Sequence, residues 1–168
     1  MLEKGENVDK VKPVYYKTQW GFEYTGVPEA RTKDTDIGNT YMEVDLTNQQ
    51  FWYYKEGELQ YSCYIVSGQT TSLARTTLEG VYKLWNKQTN YRMKATNRDG
   101  DSWDTTCNYW NNVSICGIGM HDSTWRYAFG GNIYKWNGSH GCINMPYDAA
   151  KYIYDNVELG TPVIMYYS

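Results

Sequence analysis

From Tyr41 onward the chain alternates apolar and polar residues with a period of two, and that period commits it to a sheet. In YMEVDLT, Met42, Val44 and Leu46 fall on one face, with Tyr41, Glu43 and Asp45 on the other. A helix would scatter the same apolar side chains around its circumference. A turn at Thr47-Asn48 leads to QQFWYYK, a turn at Gly57 to LQYSCYIVS, and GVYKLW (80–85) reads as a fourth strand. GIGMH reads as a strand ending at His121, and TPVIMYY as a closing strand. The aromatic residues agree: 18 Tyr and 7 Trp stand against 3 Phe. Rings with a polar handle suit sheet surfaces and wet grooves for sugars or peptides. On composition alone, ordinary sheet surface accounts for them better than a ligand groove.

One helix is expected. Pro146 suits a first helical position and Asp148 the positive N-terminal end, while Ala150, Ile153, Tyr154 and Val157 share a face. Gly160 and Pro162 stop it. The expected fold class is therefore mostly β, with one main helix following the loop at Cys142. Residues 86–108 are polar without a clear apolar face and read as a long excursion, either a β-ribbon or a flap. Residues 1–38 read as a linker or the tail of an upstream region, polar and without a sustained period. One domain is expected over 39–168, long enough to bury a core.

The charge balance, 16 Lys and Arg against 19 Asp and Glu, implies no basic face and no nucleic-acid partner. No run of 18 apolar residues occurs. The opening MLEKGENVDK lacks the apolar stretch of a signal peptide, so the chain is expected to be cytosolic or a domain excised from a longer protein. The four cysteines form no CxxC pair, and their spacing leaves the redox compartment open. Cys107 and Cys116 could face each other across a hairpin, and Cys63 reads as a small buried hydrophobe in a strand. The acidic NRDGDSWD lacks the glycine placement and final Glu of a calcium loop and reads as a solvated loop.

The stretch GSHGCINMP concentrates the chemistry. A thiol between Gly141 and Ile143, in a loop opened by glycines, is poorly placed for core packing and well placed to react. An ordinary cysteine is only about 3% thiolate at pH 7, so a base must help. The chain has two histidines. His140 is two residues from Cys142, but Gly141 turns the chain between them. His121, delivered by the GIGMH strand, is the better base, and Asp122 could orient its imidazole through either its side chain or its backbone carbonyl. Backbone N–H groups of Gly141 and Cys142 could turn together to hold an oxyanion, worth about 3–4 kcal/mol per donor. The N-terminus of the following helix would favour a thiolate. A zinc site of Cys116, His121, His140 and Cys142 is the alternative from another class, although its spacing matches no common finger.

Taken together, GMHDSTWRYAFGGNIYKWNGSHGCINMP closely resembles the L,D-transpeptidase (YkuD-type) catalytic domain. YMEVDLTNQQFWYYKEGEL, YIVSG and YDAAKYIYDNVELGTPVIMY extend the resemblance over residues 39–168. It implies a YkuD-like β-sandwich or barrel, with Cys142 as nucleophile, His121 as general acid and base, and Asp122 as the third member through its backbone carbonyl. Ser139, His140 and Gly141 match the loop that shapes the oxyanion hole. Trp125 and Asn144 match groove positions, and Tyr109 and Trp110 are further candidates for substrate contact. Many family members carry Arg at Asn144 and Pro at Leu78. The implied reaction takes a peptidoglycan stem tetrapeptide as donor, releases D-Ala, and joins a second stem by a 3→3 cross-link through a Cys thioester. Carbapenem β-lactams are implied as covalent inhibitors, and no cofactor or metal is needed. A monomeric catalytic domain working in the cell envelope is implied, within a full-length protein that is membrane-anchored or secreted. L,D-carboxypeptidation, attachment of a protein to the wall, and a wall-binding module without turnover are the alternatives.

Overall fold

The computed structural model describes residues 15–17, 23–25, 38–114 and 117–168. Within the stretch read as a tail, β1 (Tyr15–Lys17) and β2 (Glu23–Thr25) pair antiparallel. Apart from these strands and Gly38, that stretch lies outside the described residues.

Two sheets build the domain. The first orders its strands β5 (Glu58–Tyr64), β4 (Gln50–Lys55), β3 (Tyr41–Asp45), β11 (Pro162–Tyr166) and β6 (Gly80–Lys83). The second runs β10 (Ile143–Met145), β9 (Gly119–Asp122), β8 (Ser102–Asn112) and β7 (Asn86–Thr96). Two neighbouring pairs, β3 with β11 and β9 with β10, are parallel, so each needs a long crossover. The crossover between β9 and β10 carries α1 (Ile133–Asn137), and α2 (Tyr147–Asn156) follows β10 and packs on β8 and β9.

The core lies between the sheets and α2. Met42, Val44 and Leu46 meet Met120, Ile143, Met145, Ala150 and Ile153 there. Each large apolar side chain so buried contributes roughly 1.5–3 kcal/mol. The alternation from Tyr41 assigns the faces correctly, yet the second face is buried as well. Tyr41, Trp52, Tyr54 and Ile164 form their own cluster, with Tyr41 stacked on Tyr54 at 5.2 Å. β3 is the central strand of its sheet, so Glu43 and Asp45 are buried too. Glu43 accepts a hydrogen bond from Tyr166 at 2.6 Å, and Asp45 accepts from the N–H groups of Thr47 and Asn48 at 2.9 Å.

The helix begins at Tyr147 with Pro146 in the N-cap position, one residue later than expected. Ala149, Ala150 and Ile153 are its buried side, and Val157 closes it through its N–H to Ile153 O at 3.0 Å. Tyr154 falls at the edge of that face, where Lys87 Nζ donates to its carbonyl at 2.8 Å. Residues 86–108 prove to be a β-ribbon, and it runs on to Asn112. Its apolar face was hidden from the sequence because only the base, Trp110 to Asn112, pairs with β9 and enters the core layer. Cys107 in this ribbon is a buried free thiol, and Cys116 lies outside the described residues.

Candidate active site

The parallel pairing of β9 with β10 sets Asn144 beside His121 and Ile143 beside Met120. Because side chains alternate along a strand, Ile143 and Met120 enter the core while His121 and Asn144 share the opposite face. Extending the register by one step sets Cys142 beside Gly119 on that same face. The thiol and the imidazole are thus diagonal neighbours on adjacent strands. The glycine between them is forced by a third side chain: a Cβ at Gly119 would lie 2.5 Å from the Trp110 indole. That indole stacks between Tyr91, 4.5 Å away, and His121, 5.6 Å away.

The loop that carries Cys142 is pinned from both sides. Val66 and Asn144 exchange two backbone hydrogen bonds of 2.9 Å, and Ser139 N–H donates to Ser67 O at 2.9 Å. Thr77 donates its hydroxyl to Gly141 O at 2.7 Å and accepts from Gly68 N–H at 2.8 Å. Ser139 Oγ donates to Cys142 O and accepts from Gly141 N–H at 3.0 Å. Gly141 holds φ at +124°, a conformation that disfavours any side chain. The expected oxyanion pair is therefore corrected. The Gly141 N–H is engaged by Ser139 inside the loop, which leaves the Cys142 N–H as the candidate donor.

His121 is buried and both of its ring nitrogens are engaged. Nδ1 lies 2.9 Å from Asp122 O, and Nε2 lies 3.1 Å from Asn144 Nδ2. Asn144 Oδ1 accepts from Arg126 Nε at 2.8 Å, which turns the amide so that its NH2 faces the imidazole. An amide N–H donates to Nε2 only if Nε2 carries a lone pair. The proton therefore sits on Nδ1, donated to Asp122 O. Asp122 thus orients the ring through its carbonyl, while its carboxylate accepts from Tyr109 N–H and Asn108 Nδ2, both at 2.7 Å.

The surroundings of the thiol favour its neutral form. Burial pushes Cys142 up to about 11, against which the Gly119 N–H pulls weakly. Burial also holds His121 below the usual histidine range, with the Asp122 carbonyl opposing it. The Cys142 thiol donates to Gly117 O at 3.6 Å and not to the imidazole. The N-terminus of α2 is separated from the sulfur by the length of β10, roughly 10 Å, which exceeds the reach of a helix end.

Cys142, His121, Asn144, Trp110 and Trp125 all line one cleft of about 1080 Å³. Trp125 is half exposed with its ring 6.1 Å from that of His121, so it belongs to the groove and not to the core. His140 forms part of the wall, stacked on Trp103 of the β-ribbon at 4.4 Å. Burial lowers its pKa, with Arg75 adding to the effect and Asp101 opposing it. Tyr109 does not face the cleft. One residue from Trp110 along β8, it points to the other side and packs against Tyr154 and Tyr147 of α2. Cys116 of the zinc alternative lies outside the described residues.

Sequence reasoning missed three groups. Arg126 orients Asn144, Thr77 ties Gly141, and the ribbon tip is tied across the cleft mouth. There Arg75 Nε meets Asp101 at 2.7 Å and Ser72 donates to Asp99 at 2.6 Å. The acidic loop is therefore an anchor, not merely solvated. Asn97 Oδ1 shapes it by accepting from the N–H groups of Asp99 and Asp101 at 3.0 Å. A motif search could have flagged only the acidic loop; the other two carry no spacing signal.

Residues 39–165 match the family model described as the L,D-transpeptidase catalytic domain, YkuD. No protein of curated function matches the chain. Among solved structures, the avibactam carbamoyl enzyme of Ldtfm is 33% identical, with a TM-score of 0.73 over 96% of this chain and 75% of that one. A cysteine-to-serine mutant of the Enterococcus faecium L,D-transpeptidase is 32% identical, with a TM-score of 0.73 over 95% and 76%. The catalytic domain of the E. faecium enzyme is 44% identical, with a TM-score of 0.68 over 76% and 97%, both by itself and acylated by ertapenem.

Proposed function

Because the chain belongs to the L,D-transpeptidase family of YkuD-type catalytic domains, we propose that it cross-links peptidoglycan stem peptides through a thioester on Cys142. We take residues 39–168 as the catalytic domain and residues 1–38 as a connection to an upstream region. The observation that supports the roles most directly is the shared face of β9 and β10: His121 and Cys142 open on one cleft, and His121 presents a basic Nε2 there.

Donor binding displaces the Asn144 N–H from Nε2 and brings the thiol proton to it. The sulfur attacks the carbonyl of the L-centre of the third stem residue, and the Cys142 N–H stabilises the oxyanion that forms. His121, now an imidazolium held by Asp122 O, donates its Nε2 proton to the leaving D-Ala nitrogen. The C–N bond breaks and the thioester remains. The side-chain amine of a second stem then attacks that thioester, His121 takes the amine proton, and the sulfur leaves with it as a thiol. Neutral thiol and neutral imidazole at rest suit this order, because charge develops only once the substrate has closed the cleft. Such a reaction takes place outside the cytoplasmic membrane, where peptidoglycan lies. Carbapenems would acylate the same sulfur by opening the β-lactam ring, as ertapenem acylates the E. faecium domain.

Purified tetrapeptide muropeptides test the proposal. We expect a tetrapeptide dimer less one D-Ala by mass, no product with Cys142→Ala, and very little with His121→Ala. Turnover near wild type in the His121 variant would remove that residue from its role. Release of D-Ala without a dimer would make water the acceptor and the enzyme an L,D-carboxypeptidase.

A further inference from the structure

Arg126 is a half-buried cation whose two hydrogen bonds go to neutral groups. Its Nε donates to Asn144 Oδ1 at 2.8 Å and its NH1 to Asn137 O at 2.8 Å, and both acceptors are neutral. Among the described residues no carboxylate pairs with it, and NH2 has no hydrogen-bond partner. On the opposite wall Arg75 has Asp101. Burial lowers the Arg126 pKa, which marks a guanidinium partly withdrawn from water. Holding a charge there costs free energy until an anion joins it.

The position of that guanidinium defines which anion it meets. From His121 Nε2 through the Asn144 amide to Arg126 Nε the path is at most about 8 Å. A peptide nitrogen placed to receive the Nε2 proton carries its own α-carboxylate about 3 Å further on. With one hydrogen bond at each end, that span matches a single residue laid between imidazole and guanidinium. We infer that Arg126 is the specificity residue of the cleft, reading the free α-carboxylate of the residue that leaves. Its planar fork suits a carboxylate better than an ammonium would. Such a contact restricts cleavage to the last residue of a stem and rejects a peptide that continues past it, because the continuing amide offers no charge to the guanidinium. This assignment rests on the transpeptidase reading above.

Binding measured without chemistry separates the two. In the Cys142→Ala protein, calorimetry compares a stem tetrapeptide bearing a free C-terminal carboxylate with the same peptide as its C-terminal amide. The acid should bind at least tenfold tighter. Adding Arg126→Gln should bring the two affinities within about threefold, and Arg126→Lys should leave an intermediate ratio. Equal affinities in the Cys142→Ala protein, no binding of the acid, or a ratio that survives Arg126→Gln would overturn the assignment. A merely structural arginine would weaken both peptides alike and leave the ratio unchanged, which also overturns it. The transpeptidase reading is scored independently, by the mass of the tripeptide thioester on Cys142 in the unsubstituted protein. Its absence beside an intact binding ratio would refute the chemistry and leave the carboxylate contact standing.

Discussion

Iodoacetamide should modify Cys142 slowly in the free enzyme, although that residue is the proposed nucleophile. With its pKa pushed up to about 11, one sulfur in about ten thousand is thiolate at pH 7. An unperturbed cysteine is about 3% thiolate, roughly 300 times more. The more basic thiolate is intrinsically about tenfold more nucleophilic, which offsets part of the difference. The net expectation is alkylation roughly 30-fold slower than that of an exposed cysteine. The rate should rise tenfold per pH unit from pH 7 to about pH 10. His121→Ala should change this rate by less than about threefold, because the imidazole is engaged by Asn144 and not by the thiol. The assay is a time course with peptide mapping by mass, which separates Cys142 from the half-buried Cys63 and the buried Cys107, both pushed up to about 12. A rate that levels off below pH 8, or a tenfold loss in His121→Ala, would show a preformed thiolate–imidazolium pair and refute the neutral resting state.

Three further outcomes follow from the same geometry. Asn144→Asp replaces the donor at Nε2 with an acceptor beside a charge, so His121 should protonate more readily. Acylation should fall at pH 7 and recover as the pH rises, whereas the wild-type acid limb should lie below pH 6.5 because burial lowers His121; the pH profile of thioester formation checks both. Gly119→Ala drives a Cβ into the Trp110 indole and should cost about 1–3 kcal/mol in urea unfolding, with loss of acylation as the Trp110–His121 stack shifts. Ile153→Ala should cost about 2–5 kcal/mol by the same measure, since Ile153 is wholly buried beneath α2.

Several features were legible because they are local. The period of two at Tyr41 to Leu46 places three side chains in the core whatever lies beyond them. Pro146 starts a helix by backbone chemistry alone, although that helix ends at Asn156, ahead of the expected stop at Gly160. A cysteine in a glycine-opened loop, with a histidine at the end of a strand, suggests a candidate nucleophile and base by residue type. The long β7–β8 ribbon was harder to read, because one side of it faces water and the other is mostly only half-buried, along the open cleft, so strong apolar alternation is not required. Tyr109 and Trp110 look equivalent as letters. Only the pairing of β8 with β9 sends one to the cleft and the other to α2.

By itself, then, the amino-acid order determined the sheet-forming stretches and the helix, and it singled out Cys142, His121 and Asp122 as candidates. Tertiary structure alone decided which way the thiol and the imidazole are pushed. The parallel register of β9 with β10 and the Arg126–Asn144 contact set which nitrogen holds the proton, and burial pushes the thiol towards its neutral form. Those quantities depend on what surrounds a group in space. Neighbours in a strand pair, such as His121 and Asn144, are 23 positions apart along the chain, so no local pattern could carry them.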